Sequence, residues 1–173
     1  MVASERPWTG RLIGVRVDEV RLSSGRTAQR EVVEHPGAVG ILAWDGQRLA
    51  MVRQWRHAAG GALLEIPAGT LDPGEEPQAT AIRELAEECG QAAASWEAGP
   101  SFFTAPGFCT ERLSLFLARD LRPDDAVAPE DEELELAWLT IDQALDAIDS
   151  GEVSDAKSIA GILWLARRLA GPA

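Results

Sequence analysis

One segment, residues 62–91, constrains the fold of this chain more than any other, because it combines a strand, a turn-rich loop and a crowded acidic helix. The apolar run at residues 63–66 predicts a short strand. Pro77 and Gly90 are typical of the first turn and the end of a helix. Three apolar residues between them recur at helical spacing and are predicted to face inward: Ile82, Leu85 and Ala86.

The acidic side chains of this helix are placed where they cost stability. Glu84 lies three residues before Glu87 and four before Glu88, and like charges at that spacing repel by about 0.2–0.5 kcal/mol per pair. Glu87 and Glu88 also occupy the last turn, where the helix dipole disfavours each anion by roughly 0.3–1 kcal/mol. One interpretation is a solvated acidic face, offset in part by Arg83. The other is a bound divalent cation, which reverses the sign of these terms, and oxygen-only ligands favour magnesium, manganese or calcium.

Eight positions in this segment resemble the Nudix box, the signature of the Nudix hydrolase family. The pattern Gly-x5-Glu-x7-Arg-Glu-U-x-Glu-Glu-x-Gly-U, with U apolar, is matched at Gly69, Glu75, Arg83, Glu84, Leu85, Glu87, Glu88 and Gly90. Gln91 departs from it, and this affects the packing after the helix rather than the acids. The resemblance implies metal binding by Glu84, Glu87, Glu88 and the carbonyl of Ala68, with Glu87 and Glu88 also counted as catalytic. It gives a structural role to Gly69, Glu75, Arg83 and Gly90.

The segments around the box resemble the ADP-ribose pyrophosphatase branch of this family over roughly residues 10–170. Pro106 falls sixteen residues after Gly90, and the segment PEDEELELAWLT resembles the loop that carries the catalytic glutamate of that branch. The resemblance implies that a water activated by Mg²⁺ (or Mn²⁺) cleaves ADP-ribose to AMP and ribose 5-phosphate. It makes Glu130 the general base, with Glu132 and then Glu133 as alternatives, whereas a solvated charge run is the competing interpretation. Two other functions stay open: hydrolysis of another nucleoside diphosphate sugar such as GDP-mannose, and a non-catalytic ADP-ribose sensor.

Five residues outside the box are predicted to contact the substrate. Arginine suits phosphate because its guanidinium fork matches the phosphate oxygens. Arg56, in the segment QWR that resembles the family, is the first candidate, followed by Arg30 in the second predicted strand. Glu65 is expected either to bond a ribose hydroxyl or to pair with Arg56. Trp8 either stacks on the adenine or packs at the surface, and Pro106 is expected near the substrate by resemblance.

The order of elements predicts an α+β fold. Strands are predicted at about 11–22, 27–35, 38–44, 48–55, 95–103, 112–119 and 134–139, a mobile loop at 120–131, and helices at about 141–148 and 156–170. The resemblance implies a Nudix fold, with a mixed β-sheet sandwiched between helices (α/β/α) and an extra N-terminal antiparallel β-hairpin or sheet. It divides the chain into an N-terminal sheet region, 1–36, that forms a homodimer and a base pocket, and a Nudix hydrolase domain, 37–173.

Net charge and hydropathy limit the classes of binding partner and the cellular location that the sequence predicts. A net charge of −12 disfavours long nucleic acids, because non-specific affinity for them comes from neutralised phosphates. A small nucleoside diphosphate derivative is therefore the expected partner. No apolar run is long enough to suggest a membrane span, and the first residues do not resemble a signal peptide, so a cytoplasmic location is expected. Cys89 and Cys109 are predicted to be buried thiols rather than a disulfide.

Overall fold

The N-terminal sheet has three antiparallel strands in the order β1-β2-β3: β1 (Ala3–Thr9), β2 (Gly14–Arg21) and β3 (Thr27–Glu34). The structure is a computed structural model that describes residues 1–125 and 134–171. Sequence analysis predicted β2 and β3 but not β1, whose seven residues are all exposed and therefore carry no inward apolar pattern. The register between β1 and β2 shifts between Glu5 and Trp8, around Pro7. The amide of Val33 donates to the carbonyl of Phe108, which ties β3 to the rest of the chain.

Seven further strands form two sheets. Their bounds are β4 (Ala38–Ala43), β5 (Arg48–Arg56), β6 (Gly61–Glu65), β7 (Ala68–Thr70), β8 (Gln91–Phe103), β9 (Arg112–Pro123) and β10 (Leu134–Thr140). One sheet has the order β7-β4-β9-β8 and the other β10-β5-β6. Strand β4 is parallel to β9 and antiparallel to β7, so the first sheet is mixed, as predicted.

Different helices cover the two faces of the mixed sheet. Its strand β4 is buried on both faces, so each face needs a helix packed against it. The helices are α1 (Pro77–Cys89), α2 (Ile141–Asp149) and α3 (Ala156–Leu169). Ile41 packs in a buried cluster with Leu85 of α1. Leu42, which points to the opposite face, packs with Ile162 of α3 in a second cluster. A strand buried on both sides reads as a continuous apolar run, and the layering confirms the predicted α/β/α arrangement.

Several local predictions were wrong in detail. Ile82 is 48% exposed, and the buried stripe of α1 runs through Ala81, Leu85 and Cys89, one residue before the predicted start. Strand β8 begins at Gln91 rather than residue 95, and β9 continues to Pro123, into the segment predicted as a loop. Long strand pairing between β8 and β9 overrides the weak apolar pattern at those ends. Cys89 is buried, as predicted, whereas Cys109 is only partly buried, and both thiols are free.

The predicted capping box opens α2. The Thr140 side chain accepts from the amide of Gln143, and the Gln143 side chain accepts from the amide of Thr140. Within the part of the chain that the structure describes, no helix is long and apolar enough to cross a membrane.

A buried hydrogen bond connects the start of α3 to the residue that follows β6. Ser158 is fully buried, and its Oγ accepts a hydrogen bond from the amide of Ile66 at 2.8 Å. We expect Ser158→Ala to lower the free energy of unfolding by about 1–3 kcal/mol, because the Ile66 amide loses its partner in a buried place. Urea unfolding measures this, with the exposed Ser154→Ala as the control. An equal, small effect of both substitutions would contradict it.

Candidate active site

A cleft of about 850 Å³ brings together side chains from distant parts of the chain. Six of the predicted site residues line it: Arg56, Ala68, Gly69, Arg83, Glu84 and Glu88. Eight other lining residues were not predicted as site residues, among them Arg11, Leu12 and Gln54. Arg11 and Leu12 lie between β1 and β2, so the N-terminal segment reaches the cleft. Their sequence gave no sign of this, because only the tertiary fold brings them there.

Strand β7 holds two of the acidic side chains in the cleft wall. A Cβ built on Gly69 would lie 1.8 Å from Oε1 of Glu84, so this carboxylate packs directly over the glycine backbone. The amide of Ala68 donates to Oε2 of Glu88 at 3.0 Å. The absence of a side chain at Gly69 is therefore what allows Glu84 to lie against the strand.

Arg83 organises the acids of the loop and helix. Its Nη1 donates to Oε1 of Glu84 at 2.8 Å and to Oε2 of Glu87 at 2.9 Å. Its Nε and Nη2 donate to the two oxygens of Glu75 at 3.3 and 3.2 Å. These hydrogen bonds from Arg83 lower the pKa of Glu75 to about 2, and bonding to Glu75 raises the pKa of the guanidinium. Glu75 and Arg83 thus connect the loop to α1.

The Glu75–Arg83 contact gives a pH-dependent contribution to stability. In chelator, we expect Glu75→Gln to destabilise the protein at pH 7 and the difference from wild type to shrink as the pH falls from about 5 towards 3. The pKa of Glu75 is about 2 in the folded chain against an ordinary 4.5. The contribution is therefore complete above 4.5 and is lost as the pH falls towards 2, where the folded carboxyl is protonated. Urea unfolding across this range, with the exposed Glu76→Gln as control, measures it; a difference that does not change with pH would contradict it.

A buried carboxylate lies behind the cleft wall. Glu65 is 2% exposed, and it accepts from Nε of Arg56 at 2.9 Å, from Nη2 of Arg56 at 2.6 Å and from Nζ of Lys157 at 2.5 Å. Burial raises the pKa of Glu65, but the bonds from Arg56 and Lys157 outweigh it, so the pKa is lowered overall and the carboxylate is ionised at neutral pH. Of the two predicted roles for Glu65, the structure shows the pairing with Arg56. Sequence analysis missed Lys157, although one signal pointed to it, since no other lysine is present in the chain.

The remaining predicted substrate residues lie elsewhere. Arg30 and Pro106 share a separate pocket of about 540 Å³ with two exposed aromatic side chains, Phe103 and Phe108. Trp8 is 52% exposed, and its ring covers the backbone of Gly10. The predicted bases Glu130 and Glu132, and Glu133 behind them, lie outside the described residues.

The predicted metal ligands do not converge on one point. Among residues 1–125 and 134–171, no three His, Cys, Asp or Glu side chains are arranged to hold a metal ion. The hydrogen bonds explain this, since Glu84 and Glu87 are turned to Arg83 whereas Glu88 is turned to the Ala68 amide. The donor chemistry still fits Mg²⁺ or Mn²⁺, because Glu84 and Glu88 offer carboxylate oxygens in the cleft wall.

Known proteins resemble this chain over nearly its whole length. The family model described as NUDIX domain matches residues 34–161. The ADP-ribose pyrophosphatase of Bacillus subtilis (strain 168) is 40% identical over 167 residues, which cover 95% of this chain and 90% of that protein. The ADP-ribose pyrophosphatase of Mycobacterium tuberculosis (strain ATCC 25618 / H37Rv) is 41% identical over 166 residues, covering 94% and 80%. The GDP-mannose pyrophosphatase of Cronobacter sakazakii (strain ATCC BAA-894) is more distant, at 30% over 142 residues, covering 76% and 74%.

A solved structure has the same fold. The crystal structure of an ADP compounds hydrolase superposes with a TM-score of 0.88, over 98% of this chain and 93% of that one. The two sequences are 23% identical, so this likeness concerns the fold.

Proposed function

The chain belongs to the Nudix family, and from that membership we propose that it hydrolyses the diphosphate bond of ADP-ribose, releasing AMP and ribose 5-phosphate. One observation carries the proposal to this site: a single cleft contains Arg56, a cation for phosphate, together with Glu84 and Glu88 of the box. The relatives named ADP-ribose pyrophosphatase also match more of the chain, at higher identity, than the relative named GDP-mannose pyrophosphatase.

The side chains of the cleft have distinct tasks in this reaction. Arg56 binds the diphosphate, and its orientation is set by the two bonds to Glu65. Glu84, Glu87 and Glu88, with the carbonyl of Ala68, are the groups that would hold Mg²⁺ or Mn²⁺. When bound, such an ion neutralises phosphate oxygens and lowers the pKa of water. Arg83 keeps Glu84 and Glu87 together on α1, and a glutamate of the segment 126–133, with Glu130 first and Glu132 second, takes the proton as general base.

A substrate panel tests the proposal. ADP-ribose, GDP-mannose and other nucleoside diphosphate sugars are incubated with the protein and magnesium in ¹⁸O-water, and the products are separated by chromatography. We expect AMP and ribose 5-phosphate from ADP-ribose, at the highest kcat/KM of the panel, and loss of turnover in chelator. The position of the ¹⁸O label identifies the phosphorus that is attacked.

Other results would support other functions. Faster turnover of GDP-mannose would make the chain a hydrolase of a different nucleoside diphosphate sugar. Tight binding of ADP-ribose without turnover in magnesium would make it a sensor. Turnover that persists in chelator would contradict the proposal that these glutamates bind a metal ion.

We also propose that the chain acts in the cytoplasm as a homodimer through residues 1–36. The exposed side chains of β1 support this, because an unpaired sheet with exposed apolar residues such as Trp8 has surface to bury. Sedimentation equilibrium tests it, and a monomer at micromolar concentration would contradict it.

A further inference from the structure

Lys157 is unusual in this chain by type and by position. It is the only lysine among 16 basic residues, and its side chain is 14% exposed. It lies in the first turn of α3, where the helix dipole disfavours a cation. Two carboxylates offset this, because Nζ donates to Glu65 at 2.5 Å and to Oδ1 of Asp155 at 3.0 Å.

The contacts of Lys157 lead to the cleft through one carboxylate. Oε2 of Glu65 accepts a hydrogen bond from Lys157, and both carboxylate oxygens of Glu65 accept hydrogen bonds from Arg56. Lys157 is not a lining residue of the cleft, whereas Arg56 is. The hydrogen bonds therefore give one direct connection from Lys157 to the cleft, through Glu65 and Arg56.

The charges of these three residues decide what Arg56 offers to a ligand. A carboxylate paired with Arg56 alone would cancel the charge of the guanidinium. Lys157 shares the same carboxylate, so the Glu65 charge is divided between two cations, while Asp155 pairs with Lys157 from its other side. The Glu65 pair uses Nε and Nη2 of Arg56, and a guanidinium has further N–H groups to donate. Fixed donors of this kind bind an anion without reorganising.

We propose that Lys157 is a positioning residue for the substrate diphosphate: by bonding Glu65, it fixes the guanidinium of Arg56 in the orientation that presents its remaining N–H donors to the phosphates. This inference rests on the proposed function, because it assigns Arg56 to the diphosphate of the substrate.

Steady-state kinetics with ADP-ribose and magnesium test the role of Lys157. Lys157→Met keeps the length of the side chain and removes its charge. We expect KM to rise about tenfold with kcat nearly unchanged, the size of one lost charged hydrogen bond. Lys157→Arg should recover most of the loss, and Arg168→Met, on the exposed part of the same helix, should leave both constants as they are. A lower melting temperature with an unchanged KM would overturn the proposal, because it would indicate a structural role alone.

A double-mutant cycle tests whether Lys157 acts through Arg56. In an Arg56→Met background, Lys157→Met should cause no further rise in KM, because the residue on which it acts is gone. Arg53→Met is the matched background: Arg53 lies on the same strand, is equally exposed at 38%, and pairs with Glu152. There the full effect of Lys157→Met should persist. Equal effects in both backgrounds would overturn the proposal.

A spectroscopic measurement separates this inference from the proposed function. Because the chain has one lysine, ¹³C labelling of lysine Cε gives a single side-chain NMR signal for position 157. We expect ADP, added in chelator, to shift that signal in the wild-type protein and not in Arg56→Met. If ADP-ribose is not hydrolysed, the proposed function fails, yet the ADP titration still decides the role of Lys157. No shift in the wild-type protein would overturn it.

Discussion

Glu88→Gln is expected to lower kcat for ADP-ribose with magnesium on the order of 10³-fold while leaving the fold intact. Glu88 accepts a hydrogen bond from the amide of Ala68 at 3.0 Å, and the amide oxygen of glutamine can accept the same bond. The substitution therefore removes the negative charge and keeps this hydrogen bond. Loss of groups that only support a metal ligand costs about 10- to 100-fold, so loss of a ligand charge should cost more.

The measurement is kcat across a magnesium titration, with the melting temperature as a check on folding. Glu76→Gln is the control, since Glu76 is an exposed acid at the other end of the same helix, where its side chain makes no capping bond. Retention of more than about a tenth of the wild-type kcat by Glu88→Gln would contradict the assignment of Glu88 to the metal.

Gly69→Ala is expected to reduce kcat about 100-fold or more, because the added methyl group displaces Glu84, a proposed metal ligand. The new Cβ would fall 1.8 Å from Oε1 and 2.0 Å from Cδ of Glu84. Real Cβ atoms do not approach other atoms so closely, and the side chain of Glu84 must therefore leave its place against β7. Because a flexible side chain can move into solvent, the loss of stability should be much smaller than the loss of activity.

Gly61→Ala is the matched control, because a Cβ at Gly61 meets nothing within 4 Å. A double variant gives a sharper test: if Gly69→Ala acts by displacing Glu84, adding Glu84→Gln should reduce kcat little further. Wild-type activity in Gly69→Ala would show that the position of Glu84 over this glycine is not needed.

Most of the predicted site residues that the structure brings into one cleft are those whose separation is set by local spacing. Gly69, Arg83, Glu84 and Glu88 come from one strand–loop–helix segment, so their separation along the chain sets their separation in space. The prediction that Ile82 faces inward was wrong. Two neighbouring stripes of α1 are both apolar enough to face inward, and packing against the sheet selects the one through Ala81.

Residues from other segments were harder to predict. Arg56 was proposed because arginine suits phosphate and because its segment resembles the family, and it lines the cleft. Arg11 and Gln54 reach the cleft only through strand pairing and the path of the N-terminal segment. Arg30 and Pro106 were predicted as substrate residues on resemblance, and they lie together in a second pocket. Lys157 lies about ninety residues from Glu65 in sequence, and only the packing of α3 on the sheet joins them.

The interruption of β1 at Pro7 has a consequence for how the protein behaves in concentrated solution. An open strand at the border of a sheet normally offers a regular row of amides and carbonyls to which a foreign extended chain can add. Proline brings no amide hydrogen to that row, and the irregular step between Glu5 and Trp8 breaks its repeat. Repeated strand addition, the route to fibrils, is thereby discouraged at this border, which favours contacts between side chains where two molecules meet here.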